Sequence, residues 1–218
     1  MTTFNASNLS LNDVYQLLKI QKLPNGSFTP FLSIEPLTDF EQQELGQIRD
    51  DFDNYLTEGK VAEGMVKVLT IFPLLRLAGF YRHPIKITME QEIAEVRIED
   101  ENTNITGRFD ILAVNKTQRI TTDVYFWVLL IESKNSQIDP LAGLPQLLTY
   151  AYKSLERQES LWGLTTNGAR YQFVYIQQGN PPTYQLMPFL NLMDYEPSIQ
   201  ILQVLKAICK LENFVSHV

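Results

Sequence analysis

Val124-Tyr125-Phe126-Trp127-Val128-Leu129-Leu130-Ile131 is an unbroken apolar run, β-branched or aromatic at most positions, that leads directly into Glu132-Ser133-Lys134. A run of this length and type reads as a strand buried on both faces, the kind found inside a parallel or mixed sheet. Residues i and i+2 of a strand project to the same side, so the Glu132 carboxylate and the Lys134 ammonium leave the end of a buried strand together. Upstream, Gly107-Arg108-Phe109-Asp110 sets an acid between Phe109 and Ile111, inside the run Ile105–Val114, which reads as another strand. If the two strands are neighbours, Asp110 meets Glu132 and Lys134 from the side. Two carboxylates and a lysine converging where apolar strands end cost desolvation unless something pairs them. A divalent cation such as Mg²⁺, which takes oxygen ligands, is one such partner. An ordinary solvated strand end is the alternative for the same residues.

The flanks place this pair in an alternating chain. Ser10 with Asp13, and Thr38-Asp39-Phe40-Glu41, are helix-opening signals, the first for a short helix to Ile20 and the second for one to about Leu56. Val61 to Ala78 has helical spacing, with Pro73 as a kink and Gly79 as its stop. Lys22 to Pro36 reads as turns and a short strand pair. After Pro84 the period becomes two: Ile85, Ile87 and Met89, then Ala94, Val96 and Ile98, predict strands. Asn115-Lys116 reads as beginning a turn. Asp139-Pro140 opens a helix over Leu141–Arg157. Leu161–Thr166 and Tyr171–Gln177 flank Asn167-Gly168, a hairpin signal. Thr183–Pro188 reads as one further strand, and Asp194–Phe214 as a closing helix. The order predicts an α/β fold with a mixed central sheet flanked by helices, divided into residues 1–37, a helical extension packed on the core, and the domain 38–218.

Composition narrows the function. The chain has 218 residues, a net charge of −7 and 44% hydrophobic residues, enough for a sizeable core and the wrong sign for a non-specific polyanion binder. One cysteine, Cys209, excludes an internal disulfide and favours a reducing compartment. With only His83 and His217 beside it, a Cys/His zinc site is excluded. The polar N-terminus lacks a signal-peptide pattern, and neither Val66–Phe80 nor Val124–Ile131 is fit to span a bilayer, so the expected location is the cytoplasm with no membrane partner. Charge is segregated: Asp39–Glu63 carries eight acidic and two basic residues, whereas Arg108–Arg170 carries seven basic and six acidic ones. A substrate-facing side and an outer side would give this pattern, as would solvated helix faces.

The pattern Asp110…Glu132-Ser133-Lys134 resembles the PD-(D/E)xK phosphodiesterases of the restriction-endonuclease-like fold, whose metal site is Asp…(D/E)-x-K. The family's proline before the Asp is replaced by Phe109. Gln146 with Tyr150 resembles the Gln-x-x-x-Tyr feature of RecB-like and type I restriction-subunit-like nuclease domains. Glu63, in Glu63…Pro73-Leu74-Leu75…Gly79-Phe80, matches the helical acid that completes such sites, with Glu58 in reserve. Trp162 to Gly168 resembles the strand and hairpin that follow. The likeness covers roughly Glu58 to Gln177.

The resemblance implies a Mg²⁺-dependent nuclease, with Mn²⁺ as a substitute, hydrolysing DNA phosphodiester bonds as an endonuclease in a restriction or defence system. Asp110, Glu132, the Ser133 carbonyl and Glu63 would hold metal. Lys134 would orient the attacking water and stabilise developing charge, and Gln146 would bond the water, Lys134 or a phosphate. Glu63 is equally placed to pair with Lys67, four residues on. Arg108, Lys116, Lys153 and Arg170 are candidate phosphate contacts, and Tyr150 a candidate base-stacking residue. Expected partners are DNA and either a second copy of the chain or a subunit supplying specificity. Two other readings stand beside it: a nucleic-acid-binding or regulatory module that keeps the fold without the cutting, and an acidic protein-interaction subunit presenting Asp39–Glu63.

Overall fold

In a computed structural model of the chain, which describes residues 2–90, 96–98, 103–121 and 124–211, the early helices start where their capping signals stand. The elements in order are β1 (Thr2–Asn5), α1 (Leu11–Leu18), β2 (Gln21–Lys22), α2 (Asp39–Glu58), α3 (Glu63–Val66), a π-helical turn (Lys67–Ile71) and α4 (Phe72–Ala78). Next come β3 (Ile85–Met89), β4 (Val96–Ile98), β5 (Thr103–Thr106), β6 (Ile111–Thr121), β7 (Val124–Ser133) and α5 (Leu144–Ser154). The chain closes with β8 (Ser160–Thr166), β9 (Arg170–Gln177), β10 (Thr183–Leu186), β11 (Leu190–Asn191) and α6 (Tyr195–Leu211). Ser10 and Asp13 exchange backbone and side-chain hydrogen bonds at the start of α1, and Thr38 and Glu41 do so at the start of α2. Each pair satisfies amides that would otherwise be orphaned.

The fold is α/β, with a mixed sheet between helical layers. The main sheet runs β2-β10-β9-β8-β7-β6-β3, with β11 paired onto β9. β7 and β8 are parallel, joined by α5 as a crossover, whereas β6 and β7 are antiparallel. Alternation along the strands sorts the core into two halves. On one face Leu129, Ile131, Leu164 and Phe173 share a core with Phe52 of α2, Leu74 and Leu75 of α4, and Ile201 and Leu205 of α6. On the other, Leu112, Leu130, Leu161 and Val174 share a core with Val14 and Leu18 of α1 and Leu147, Leu148 and Ala151 of α5. Burying a side chain such as the fully enclosed Phe52 contributes roughly 2–3 kcal/mol. Residues 1–37 supply a strand to each sheet, β1 beside β5 and β2 beside β10, and a helix to the α5 face.

Several sequence expectations change. The run Ile105–Val114 is not one strand: β5 belongs to a three-stranded sheet, β1-β5-β4, and β6 to the main sheet. Residues 107–110 cross between them, so a single period of two concealed two strands. Asn115-Lys116 does not begin a turn, because β6 continues to Thr121 through register shifts against β7. Asn115 is buried there and its Oδ1 accepts both the N–H and the hydroxyl of Thr117, local bonds that satisfy donors where the ladder to β7 is interrupted. The helix Val61–Ala78 holds a π turn just before Pro73, where the pyrrolidine ring would otherwise collide with the preceding turn. Of the Lys22–Pro36 region only Lys22 lies in a strand, at the end of β2, yet Phe28 and Leu32 are buried in the core. The helix expected from Leu141 starts as a 3₁₀ turn, Pro140–Gly143, capped by the Asp139 side chain. Ala94, Phe214 and His217 lie outside the described residues. Among the described residues no helix is long and apolar enough to cross a membrane.

Candidate active site

The register Ile111↔Ile131 and Leu112↔Leu130, continued by one residue, sets Asp110 across from Glu132 at the end of the main sheet. Asp110 itself stands in the bend that opens β6. Its Oδ2 accepts the Ser133 backbone N–H at 2.7 Å and the Ser133 hydroxyl at 2.9 Å, and its Oδ1 accepts Lys67 Nζ at 2.9 Å. A strand residue turns its N–H and C=O to the same neighbour, so the Ser133 carbonyl emerges on the Asp110 side. The Lys134 N–H donates to the Thr166 carbonyl at 2.8 Å on the other side. The loop that follows is tied down at both flanks: Ser136 exchanges two hydrogen bonds with Val61, and Asn167 Nδ2 donates to the carbonyls of Ser136 and Ile138.

Glu132 shares the α5 face with Leu130 and is completely buried. Among the described residues neither of its carboxyl oxygens has a hydrogen-bond partner, and Lys134 Nζ lies 3.9 Å from Oε2, too far for one. Burial, and then the charge of Asp110, push the Glu132 carboxyl well above the usual range. Lys134, Lys67 and the facing Asp110 amide, which misses hydrogen-bond geometry, oppose that shift only in part. Lys67 is buried in the π turn, its Nζ also 3.2 Å from Glu63. Burial acts to lower its pKa, but Asp110 and then Glu63 outweigh burial and raise it.

The third wall comes from α5. Gly143 stands against the carboxylate stem: a Cβ there would be 3.3 Å from Glu132 Cβ, 3.5 Å from Lys134 Cε and 3.6 Å from Thr165 Cγ2. Thr165, in register with Glu132 on β8, is buried with its hydroxyl unpartnered. Gln146 Nε2 donates to the Tyr150 hydroxyl at 3.0 Å and to the Arg108 carbonyl at 3.4 Å, and Tyr150 donates to the same carbonyl at 2.9 Å. Burial, and then the Glu132 charge, raise the Tyr150 phenol, so it is a neutral donor at ordinary pH.

The structure thus brings Asp110, Glu132, Ser133 and Lys134 together, with Gln146 one helix away. Glu63 reaches the site through the Lys67 ammonium, which it shares with Asp110, and among the described residues no three His, Cys, Asp or Glu side chains gather as a ligand set. Tyr150 offers no ring face to a base: it is fully buried, because α5 turns it inward beneath the Arg108 carbonyl. Trp162 is likewise core. Lys153 pairs with Glu156 at 2.9 Å, while Arg108, Lys116 and Arg170 are exposed, as is Glu58.

Two residues of the site, Lys67 and Thr165, have little or no signal in the sequence. Lys67 was visible only as a helical partner of Glu63, since contact between that helix and Asp110 is a tertiary event. Thr165 carries a weaker signal, a hydroxyl following Gly163 on the small-residue face of β8.

The residues fit a hard divalent cation. Glu132 presents unpartnered buried oxygens beside a second carboxylate, an arrangement that costs free energy until a cation or proton neutralises it.

No known protein family matches the chain, and neither does any curated protein. Among solved structures it is similar to a fragment described as the HsdR subunit of a type I restriction enzyme from Vibrio vulnificus YJ016, at 18% identity and a TM-score of 0.39. The match covers 66% of this chain, which spans only 26% of that structure.

Proposed function

We propose that this chain is a Mg²⁺-dependent nuclease that hydrolyses DNA phosphodiester bonds, as an endonuclease in a restriction or defence system. One observation carries the reading: a carboxyl without hydrogen-bond partners, fully buried at a strand end, flanked by a second carboxylate and by a lysine two residues on. Natural proteins leave few buried polar groups unsatisfied, and those that remain ask for an explanation.

Asp110 and Glu132 would hold the ion, with the Ser133 carbonyl on the same edge. When bound, Mg²⁺ supplies Lewis acidity toward a phosphate oxygen and toward water. Ser133 fixes the Asp110 carboxylate through two donors, so its free lone pairs keep one direction. Lys134, partly exposed at the mouth, orients the attacking water and neutralises charge gathering on the phosphate in the transition state. Gln146 is held by Tyr150 and the Arg108 carbonyl, and its Oε1 is the acceptor assigned to that water. Arg108, Lys116 and Arg170 are assigned to the DNA backbone. The order of the motifs, with Gln146 after Glu132-Ser133-Lys134, supports a restriction-type nuclease.

The experiment is a calorimetric titration of Mn²⁺ into the wild type and Asp110→Ala, followed by cleavage assays on plasmid, linear and single-stranded DNA. Saturable binding lost in the variant, with cleavage lost in Lys134→Ala, is the expected result. Identical titrations of the two proteins, or salt-sensitive DNA binding without cleavage, would refute the nuclease.

A further inference from the structure

The acceptor capacity of Asp110 limits what its site can hold. An ionised carboxylate has about four lone-pair positions. Three are occupied here: Ser133 N–H and Oγ on Oδ2, and Lys67 Nζ on Oδ1. One direction remains, on Oδ1. Glu132 keeps all of its own, since neither oxygen has a partner. Asp110 can therefore join Glu132 in holding one ion.

Phosphodiesterases that use two ions hold them about 3.5–4 Å apart. At that separation the ions repel strongly, so carboxylates must face both. The second position beside Asp110 would lie between its Oδ1 and Glu63. Lys67 stands there, 2.9 Å from the one carboxylate and 3.2 Å from the other. Its side chain is 8% exposed and comes from the π turn, a helical irregularity often found at functional sites. The Lys67 N–H bonds the Glu63 carbonyl, which keeps the two side chains on one face of the helix.

We propose that the site takes a single divalent ion, held by Asp110 and Glu132, and that the Lys67 ammonium permanently fills the place of a second cation between Asp110 and Glu63. This rests on the metal reading above and makes it specific. Glu63 is then a positioning residue that holds Lys67, and is no metal ligand. Lys67 supplies a fixed positive charge at Asp110 Oδ1.

The test counts ions. Mn²⁺ stoichiometry is measured by calorimetry, and by elemental analysis after equilibrium dialysis, for the wild type, Lys67→Arg, Lys67→Met and Lys67→Met/Glu63→Gln, each checked for folding by circular dichroism. Lys67→Gln replaces Lys67→Met if the latter does not fold. The expected result is one ion per chain for the wild type and Lys67→Arg, two for Lys67→Met, and a return to one in the double variant. Two ions in the wild type, or one in a folded Lys67→Met or Lys67→Gln protein, would overturn the proposal while leaving the metal site standing. No binding by the wild type would sink the metal reading and this inference with it.

Discussion

Asp110 and Ser133 are joined by two hydrogen bonds to a single oxygen, the Ser133 amide at 2.7 Å and its hydroxyl at 2.9 Å from Asp110 Oδ2. The residue between Glu132 and Lys134 thus fastens the first acid of the motif to the strand carrying the other two groups. Ser133→Ala removes one charge-assisted bond and should destabilise the protein by about 1.5–3 kcal/mol. Asp110→Ala should cost about 3 kcal/mol, the low end for losing one partner of an enclosed ion pair, because Asp110 is only partly buried and Lys67 keeps Glu63 as a partner. Urea unfolding curves measure both, and only Asp110→Ala should also abolish Mn²⁺ binding.

Glu132 and Glu41 predict opposite pH effects. The Glu132 carboxyl is raised by burial and by Asp110, so in the fold it keeps its proton where the unfolded chain has lost it. Its contribution to metal-free stability is full below the ordinary carboxylate range and is lost as pH rises through the raised value. Glu41 is also subject to burial, but Lys206 and Thr38 outweigh it and lower its pKa. Its contribution is present above the ordinary range and lost as pH falls. The metal-free Tm of Glu132→Gln should therefore decline less than that of the wild type on the alkaline side and match it on the acid side. Mn²⁺ must displace the Glu132 proton, so wild-type affinity should rise with pH, with proton release seen as a buffer-dependent enthalpy.

Lys134 sits at the mouth, 3.9 Å from Glu132, with 22% of its side chain exposed. Lys134→Ala should change stability by less than about 1 kcal/mol and lower cleavage by about 100-fold or more, the scale for losing a transition-state donor. Initial rates on saturating DNA, read beside a thermal melt, separate the two effects.

Two glycines should fail in different ways. At Gly143 the backbone is helical, so alanine is strained only by packing against Glu132, Lys134 and Thr165. The expected cost is about 1–2 kcal/mol, with a weakened Mn²⁺ affinity because the carboxylate stem must move. At Gly168, φ is +90° and a Cβ would lie 2.5 Å from Phe52 Cζ. Gly168→Ala combines backbone strain with overpacking and should cost about 3 kcal/mol, leaving Mn²⁺ affinity unchanged in the folded protein.

Local features were legible along the chain. Capping at Ser10 and Thr38, the buried strand through Ile131, the Asn167-Gly168 hairpin and the shared side of Glu132 and Lys134 all follow from short-range sterics and a period of two. The division of Ile105–Val114 between two sheets lay beyond them, because β5 and β6 have the same period and differ only in which strand each pairs with. Tertiary structure alone decided that Glu132 would be fully enclosed under Gly143, that Tyr150 would turn inward, and that Lys67, distant in sequence from Asp110, would be its ion-pair partner. Lone pairs, unlike apolar periodicity, are assigned only when segments remote in the chain meet, and that meeting gives the carboxylates their chemistry.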